Sequence, residues 1–213
     1  MKTIATEADI RKGLDALLAI DARLKPIADV AGPLPLRRRP ADLKGLAHIV
    51  VGQQVSIASA AAIFSRLEAL VDPFDAATLS AHDDTALAVA GLSRPKIRTL
   101  RAICAAMDDG LDLAGLADAS ATEAHSRLCA IPGIGPWSAD IFLLFCAGHA
   151  DIFPTGDLAL REALRVAFGL DTRPAIKEVA VMALAWQPWR GIAARLFWAY
   201  YRTLRKGRDV FPI

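Results

Sequence analysis

Apolar residues in this chain recur three and four positions apart, as in EADIRKGLDALLAI, PKIRTLRAICAAM and LALREALRVAF. No stretch sustains the alternation of a half-buried strand. This periodicity is the tightest constraint on the fold. Each such stretch has an apolar stripe that must be covered, so the chain has to fold as helices packed on helices. Alanine and leucine, both good helix formers, supply much of the pattern. With 213 residues, 54% of them hydrophobic and 23% charged, the chain can bury one full core or two small lobes that share one. That balance excludes a disordered chain.

Cap signals divide the pattern. A first helix spans Glu7 to Ile20, and KPIADVAGPLPLRRRP reads as a proline-rich connector. Asp42 caps a helix to Gly52, Ser56 opens one to Val71, and Asp75 and Asp83 cap two short ones. Ser93 opens RPKIRTLRAICAAMDDG, which Gly110 closes. Ser120 and Glu123 predict a capping box. Pro136 suits the first turn of the next helix and Gly148 its end. A helix follows Asp157, and the last two are PAIKEVAVMALAW and PWRGIAARLFWAYYRTLRKG, the second opened by Pro188. The reading is an all-α protein of about ten helices.

The formal charge of +2 neither demands nor excludes a nucleic-acid partner. The opening MKTIATEADIRKG lacks the apolar core of a secretory signal, and the greasiest window, GLAHIVVGQQVSIASAAAIF, is broken by His48, Gln53 and Gln54. A cytoplasmic chain without a membrane segment is expected. Cys104, Cys129 and Cys146 sit in apolar helical patterns as reduced core thiols, and their spacing fits no zinc or iron–sulfur ligand set. His48, His82, His125 and His149 show no metal spacing either. The basic runs, Arg37 to Arg39, SRPKIRTLR and PWRGIAARLFWAYYRTLRKGR, are solvated faces of which some residues should meet phosphates.

The most pointed local feature is LCAIPGIGPWSAD. A helix ends, five residues turn, and a second helix begins. Gly133 and Gly135 open backbone angles closed to other residues and allow close approach of another backbone. The turn's N–H groups, beside the positive end of a helix, could bind an anion such as phosphate; a tight helical turn with no ligand accounts for the spacing equally well.

Four segments in order resemble the helix–hairpin–helix DNA glycosylase superfamily, whose motif joins such a hairpin to a downstream Gly/Pro-rich loop and aspartate. They are IPGIGPWSAD, then DIFPTGDLALREAL downstream, HIVVGQQVSIASAAAIFSRL upstream, and QPWRGIAARLFWAYY at the C-terminus. The resemblance runs from Asp21 to Tyr200 and is nearest to the 3-methyladenine-DNA glycosylase II branch. It implies two helical lobes with the active-site cleft between them and no N-terminal β domain. One lobe covers about residues 43–150 and the other about 1–42 plus 151–213.

The resemblance also assigns roles. Asp157 matches the catalytic aspartate, although its place before LALREALRVAF also makes it a plain N-cap. Asp140 and Asp151 are weaker acid candidates, better read as solvated or structural. Trp137 stands where bifunctional members carry a Schiff-base lysine, and no lysine lies between Leu128 and Arg161. That departure implies a monofunctional enzyme. Trp137, Ile141 and Trp198 would line the base pocket, tryptophan faces attracting a cationic alkylated purine by about 0.5–2 kcal/mol. Core packing is the plainer fate of Trp137. Ala199 stands where the branch often has tyrosine.

Gly133, Gly135 and Ser138 would meet the DNA backbone. Gln54 matches the residue that probes the duplex and Gln53 its neighbour; both also suit helix-capping amides. A monovalent cation, sodium or potassium, would sit on the main-chain carbonyls of Cys129, Ile131 and Gly133, with no iron–sulfur cluster and no required cofactor. The implied activity is hydrolytic excision of alkylated bases, chiefly 3-methyladenine, from damaged double-stranded DNA by a monomer. Two other readings stand beside it: a non-catalytic binder of DNA structure built on the same hairpin, and a glycosylase for oxidised or mismatched bases.

Overall fold

The computed structural model describes residues 3–205. Lys206 to Arg208, read as the end of the last helix and its basic run, lie outside the described residues. Among the described residues, twelve α-helices account for the fold, and the one strand-like pairing is an isolated bridge between Thr3 and His149. The protein is all-α. No helix among the described residues is long and apolar enough to cross a membrane.

The chain divides into two compact units. Among the described residues, the first takes those up to Arg38 and those from Gly148 to Arg205; the second is Arg39–Ala147. The first unit holds α1 (Glu7–Ile20), α2 (Lys25–Ala31), α10 (Leu158–Ala167), α11 (Ile176–Leu184) and α12 (Arg190–Leu204). Its centre is α12, which packs on α1, α2 and α10 and is buried on every face from Gly191 to Ala199. A helix apolar all round must be enclosed by others, and GIAARLF has almost no polar face to expose. Arg195 is the exception. Burial lowers its guanidinium's pKa to about 9, helped by the charge of Arg38, and it donates to the Leu36 carbonyl at 2.6 Å.

The second unit holds α3 (Leu43–Gly52), α4 (Ile57–Leu70), α5 (Ala76–Ala81), α6 (Asp84–Val89), α7 (Arg94–Asp108), α8 (Ala121–Cys129) and α9 (Pro136–Phe142). Its centre is α3, against which α4, α7 and α9 pack. Asp42, Ser56, Asp75, Asp83 and Ser120 each accept an N–H three residues on, as the cap signals require.

Four local expectations need correction. The proline-rich connector contains a helix, α2, because Pro26 falls in its first turn, where its missing N–H costs nothing. Ser93 stands at the N-cap of α7 without a side-chain cap bond. Of the Ser120–Glu123 box, the structure forms the Ser120 half. After Phe142, the helix widens to a π-turn over Leu143–Ala147, every residue of which is buried, before Gly148 ends it in the left-handed region.

His48, on α3, packs edge-on against Phe64 of α4 with ring centroids 4.7 Å apart. Burial disfavours its charged form, and nearby Arg39 adds to that, while Glu68 opposes it; the pKa falls to about 4. The unfolded histidine protonates near its ordinary value, about 6.5. The unfolded chain therefore takes up this proton first. The stability His48 gives is complete above about pH 6.5 and drains away as the pH falls toward 4. Thermal melts across that window should show the wild-type midpoint falling and His48→Gln falling less; an unchanged slope would mean that the histidine is not buried neutral.

Candidate active site

Asp157 closes the loop DIFPTGD at the N-cap of α10. Its Oδ1 accepts two N–H groups, from Leu160 at 2.9 Å and from the Trp198 indole at 3.2 Å. The first bond is the ordinary cap. The second comes from α12, 41 residues along the chain, and the carboxylate lies 9% exposed. Cap and site are thus compatible. The positive end of α10 and two donors surround the acid with partial positive charge. A second Trp–Asp pair in the same unit is put to a different use. Asp21 accepts from the Trp186 indole at 3.1 Å but also forms an ion pair with Arg23 at 2.7 Å. Those bonds, that with Arg23 foremost, hold its pKa at about 2.

Trp198 has no exposed surface, which corrects its reading as a pocket wall: it is a packed indole whose N–H fixes Asp157. Ile141 is likewise fully buried and belongs to the core rather than to a pocket. Ala199, next to Trp198 in the chain, is buried in α12 too. Trp137 differs from all three. It stands in the first turn of α9 and is partly exposed.

The hairpin's two glycines are needed for different reasons. Gly133 has φ 92°, and a Cβ there would stand 1.9 Å from Thr99 Oγ1 of α7, so packing within the unit demands glycine. Gly135 has φ −90°, open to any residue, and a Cβ on it would meet nothing within 4 Å. It is exposed, and neither conformation nor packing requires it. Ser138 is buried, and its hydroxyl accepts from Gln53 Nε2 at 2.8 Å. Its side chain therefore faces the interior and not a DNA backbone. Gln53 is half-buried, whereas Gln54 is exposed with φ 56°. Of the three carbonyls expected to hold a cation, that of Ile131 already accepts the Ile134 N–H at 3.0 Å and keeps its second lone pair.

The remaining candidates resolve as structure. Asp151 pairs with Arg190 at 2.7 Å and Asp140 with His125 at 3.5 Å. Cys129 lies 3.7 and 3.8 Å from the two His125 ring nitrogens, but burial, then the charge of Asp140, push its thiol up, away from an activated nucleophile. Several basic residues are internal ties: Arg38 donates to the Ile4 carbonyl, Arg101 to that of Leu79, and Lys96 to that of Val51. Sequence reading missed these because a carbonyl acceptor leaves no mark in the sequence. No cluster of His, Cys, Asp and Glu among the described residues could hold a metal ion.

The sequence profile of the HhH-GPD superfamily base excision DNA repair proteins matches residues 47–191, which takes in the turn between α3 and α4, the hairpin and Asp157. The chain belongs to this family. As an HhH-GPD protein it is similar over more than nine-tenths of its length to relatives of its own size. The alkylbase DNA glycosidase-like protein mag2 of Schizosaccharomyces pombe is 24% identical over 96% of this chain and 100% of its own. The crystal structure of a DNA-3-methyladenine glycosidase from Bacillus halodurans superposes with a TM-score of 0.82 at 31% identity, covering 91% of each chain. The 3-methyladenine DNA glycosylase Mag1 of S. pombe, in complex with abasic DNA, does so with a TM-score of 0.76 at 25% identity, covering 94% of this chain and 99% of its own.

The contrast between the glycines predicts two outcomes. Gly133→Ala should lower the thermal midpoint markedly, since the left-handed backbone alone costs an alanine about 1–2 kcal/mol before the clash with Thr99. Gly135→Ala should leave the midpoint unchanged while weakening binding to duplex DNA. Equal midpoint losses would show that both glycines serve only the turn.

Proposed function

We propose that this HhH-GPD protein is a monofunctional DNA glycosylase that excises alkylated bases, chiefly 3-methyladenine, from duplex DNA by hydrolysing the N-glycosidic bond. The observation that carries the reading is Asp157, a nearly buried carboxylate fixed by an indole N–H from another helix, where a helix cap alone needs only the Leu160 bond. The family match and the names of the relatives point the same way.

The chemistry follows from what such a carboxylate can do. As the bond from C1′ to the alkylated base breaks, its electron pair leaves with the base and cancels the base's positive charge. Positive charge is left on the sugar. A fixed carboxylate in a partly dry site stabilises that charge without reorganising. A water oxygen then bonds to C1′, and its proton passes to Asp157 and on to solvent. A cationic base is a good leaving group, so no strong general acid is called for. Exposed Gly135 lets the DNA backbone come close, Trp137 offers its face to the flipped base, and Gln54 fills the gap left in the duplex. Trp198 serves by holding Asp157 rather than by stacking. Sodium or potassium on the carbonyls of Cys129, Ile131 and Gly133 would add positive charge beside the phosphates. Trp137, in the place of a Schiff-base lysine, ends the reaction at an abasic site. The protein acts as a monomer in this reading.

The test is release of bases from methylated duplex DNA. Wild type should release 3-methyladenine and leave alkali-labile sites without direct nicking. Asp157→Asn should slow release by about 10²–10³-fold. Its thermal midpoint should hold, because asparagine caps a helix as well as aspartate does. Trp198→Phe should fall between the two. Absence of release from every alkylated substrate would defeat the proposal, and nicking without alkali would overturn its monofunctional part.

A further inference from the structure

The turn between α3 and α4 carries Gln54 in the left-handed region, on an exposed tip flanked by exposed Val55 and Ile57. A non-glycine residue holds that conformation only where its surroundings impose it. Two bonds from two other helices converge on this turn. Lys96, in the first turn of α7, donates from Nζ to the Val51 carbonyl at 2.7 Å. That carbonyl belongs to the last turn of α3, where the helix's own ladder has run out of donors. From the other side, Gln53 Nε2 donates to the hydroxyl of Ser138, buried on α9, at 2.8 Å.

The partners lie 45 and 85 positions apart, so neither bond is a product of the local turn. Lys96 is half-buried, and withdrawing an ammonium from water is costly unless it is hydrogen-bonded. Simple closure of α3 would not require a charged group brought in from α7, since water or a polar side chain on the turn itself could satisfy the carbonyl. The tethered residues are Val51 and Gln53, with Gly52 between them, and the next residue is Gln54. The clamp therefore fixes the backbone immediately before the probe.

We infer that Lys96 and Ser138 are positioning residues, which clamp the α3–α4 turn so that Gln54 enters the duplex in a fixed conformation. The inference rests on the glycosylase reading above and adds to it two residues that touch neither the base nor the sugar. A probe matters only where a base must be drawn out of a stacked helix. Loss of the clamp should therefore weigh on duplex substrates and act through Gln54.

Single-turnover excision of 3-methyladenine is compared on a duplex and on the same oligonucleotide single-stranded. Lys96→Met should lower the ratio of duplex to single-strand rate by roughly 10- to 100-fold, the scale of a misplaced active group. Lys96→Arg, which keeps a donor, should recover most of it. In a Gln54→Ala background, Lys96→Met should cost little more, since coupled residues are not additive. If Lys96→Met does not fold, Ser138→Ala takes its place in the same cycle. Equal losses on both substrates, or additivity with Gln54→Ala, would overturn the clamp while leaving the glycosylase standing. A wild-type protein that releases no base from either substrate would sink both.

Discussion

The hydrogen bond from the Trp198 indole to Asp157 is the contact around which the first unit is organised. It joins the N-cap of α10 to the buried centre of α12, and both ends need the packing around them. A carboxylate that is nearly buried is costly unless donors meet it. Here the donors are a helix N-terminus and an indole held in place by a helix buried on all sides. The same packing that makes α12 a core element thus fixes the acid to within a hydrogen bond's tolerance. The Asp21–Trp186 pair, built of the same residue types, shows the alternative: with Arg23 bound, its carboxylate is committed to an internal ion pair.

The second unit is organised around α3, against which α4, α7 and α9 pack. Gly133 seats the hairpin against Thr99 of α7, while Gly135 stays open outward. Several of the basic residues, which the sequence offers as candidates for phosphate contact, are instead internal donors to carbonyls, among them Lys96 and Arg101. A long cationic side chain can reach an orphan carbonyl several turns away and satisfy it, at the cost of a charge no longer available to a ligand.

Much of this was legible in the sequence because the rules involved are local. The caps at Asp42, Asp75, Asp83 and Asp157 follow from a short acceptor three residues before a free N–H, and the helices from their apolar period. The hairpin and its proline at the helix start were visible for the same reason. What was not legible depends on partners far along the chain. Nothing in LFWAYY says that Trp198 turns its N–H to an aspartate 41 residues earlier and shows no face to a ligand. Nothing around Ser138 says that its hydroxyl points inward to Gln53. The helix α2 was hidden by Pro26, a residue that breaks a helix everywhere but in its first turn. The two glycines looked alike because spacing does not tell conformation from clearance.

The central claim is that Asp157 stabilises positive charge on the sugar. Duplexes carrying two abasic-site analogues test it most directly: a neutral tetrahydrofuran, and a pyrrolidine whose protonated nitrogen stands where the charge develops. Wild type should bind the cationic analogue more tightly than the neutral one, because an enzyme binds most tightly what resembles its transition state. Asp157→Asn should bind the two alike. A preference that survives the substitution, or no preference in the wild type, would contradict the account.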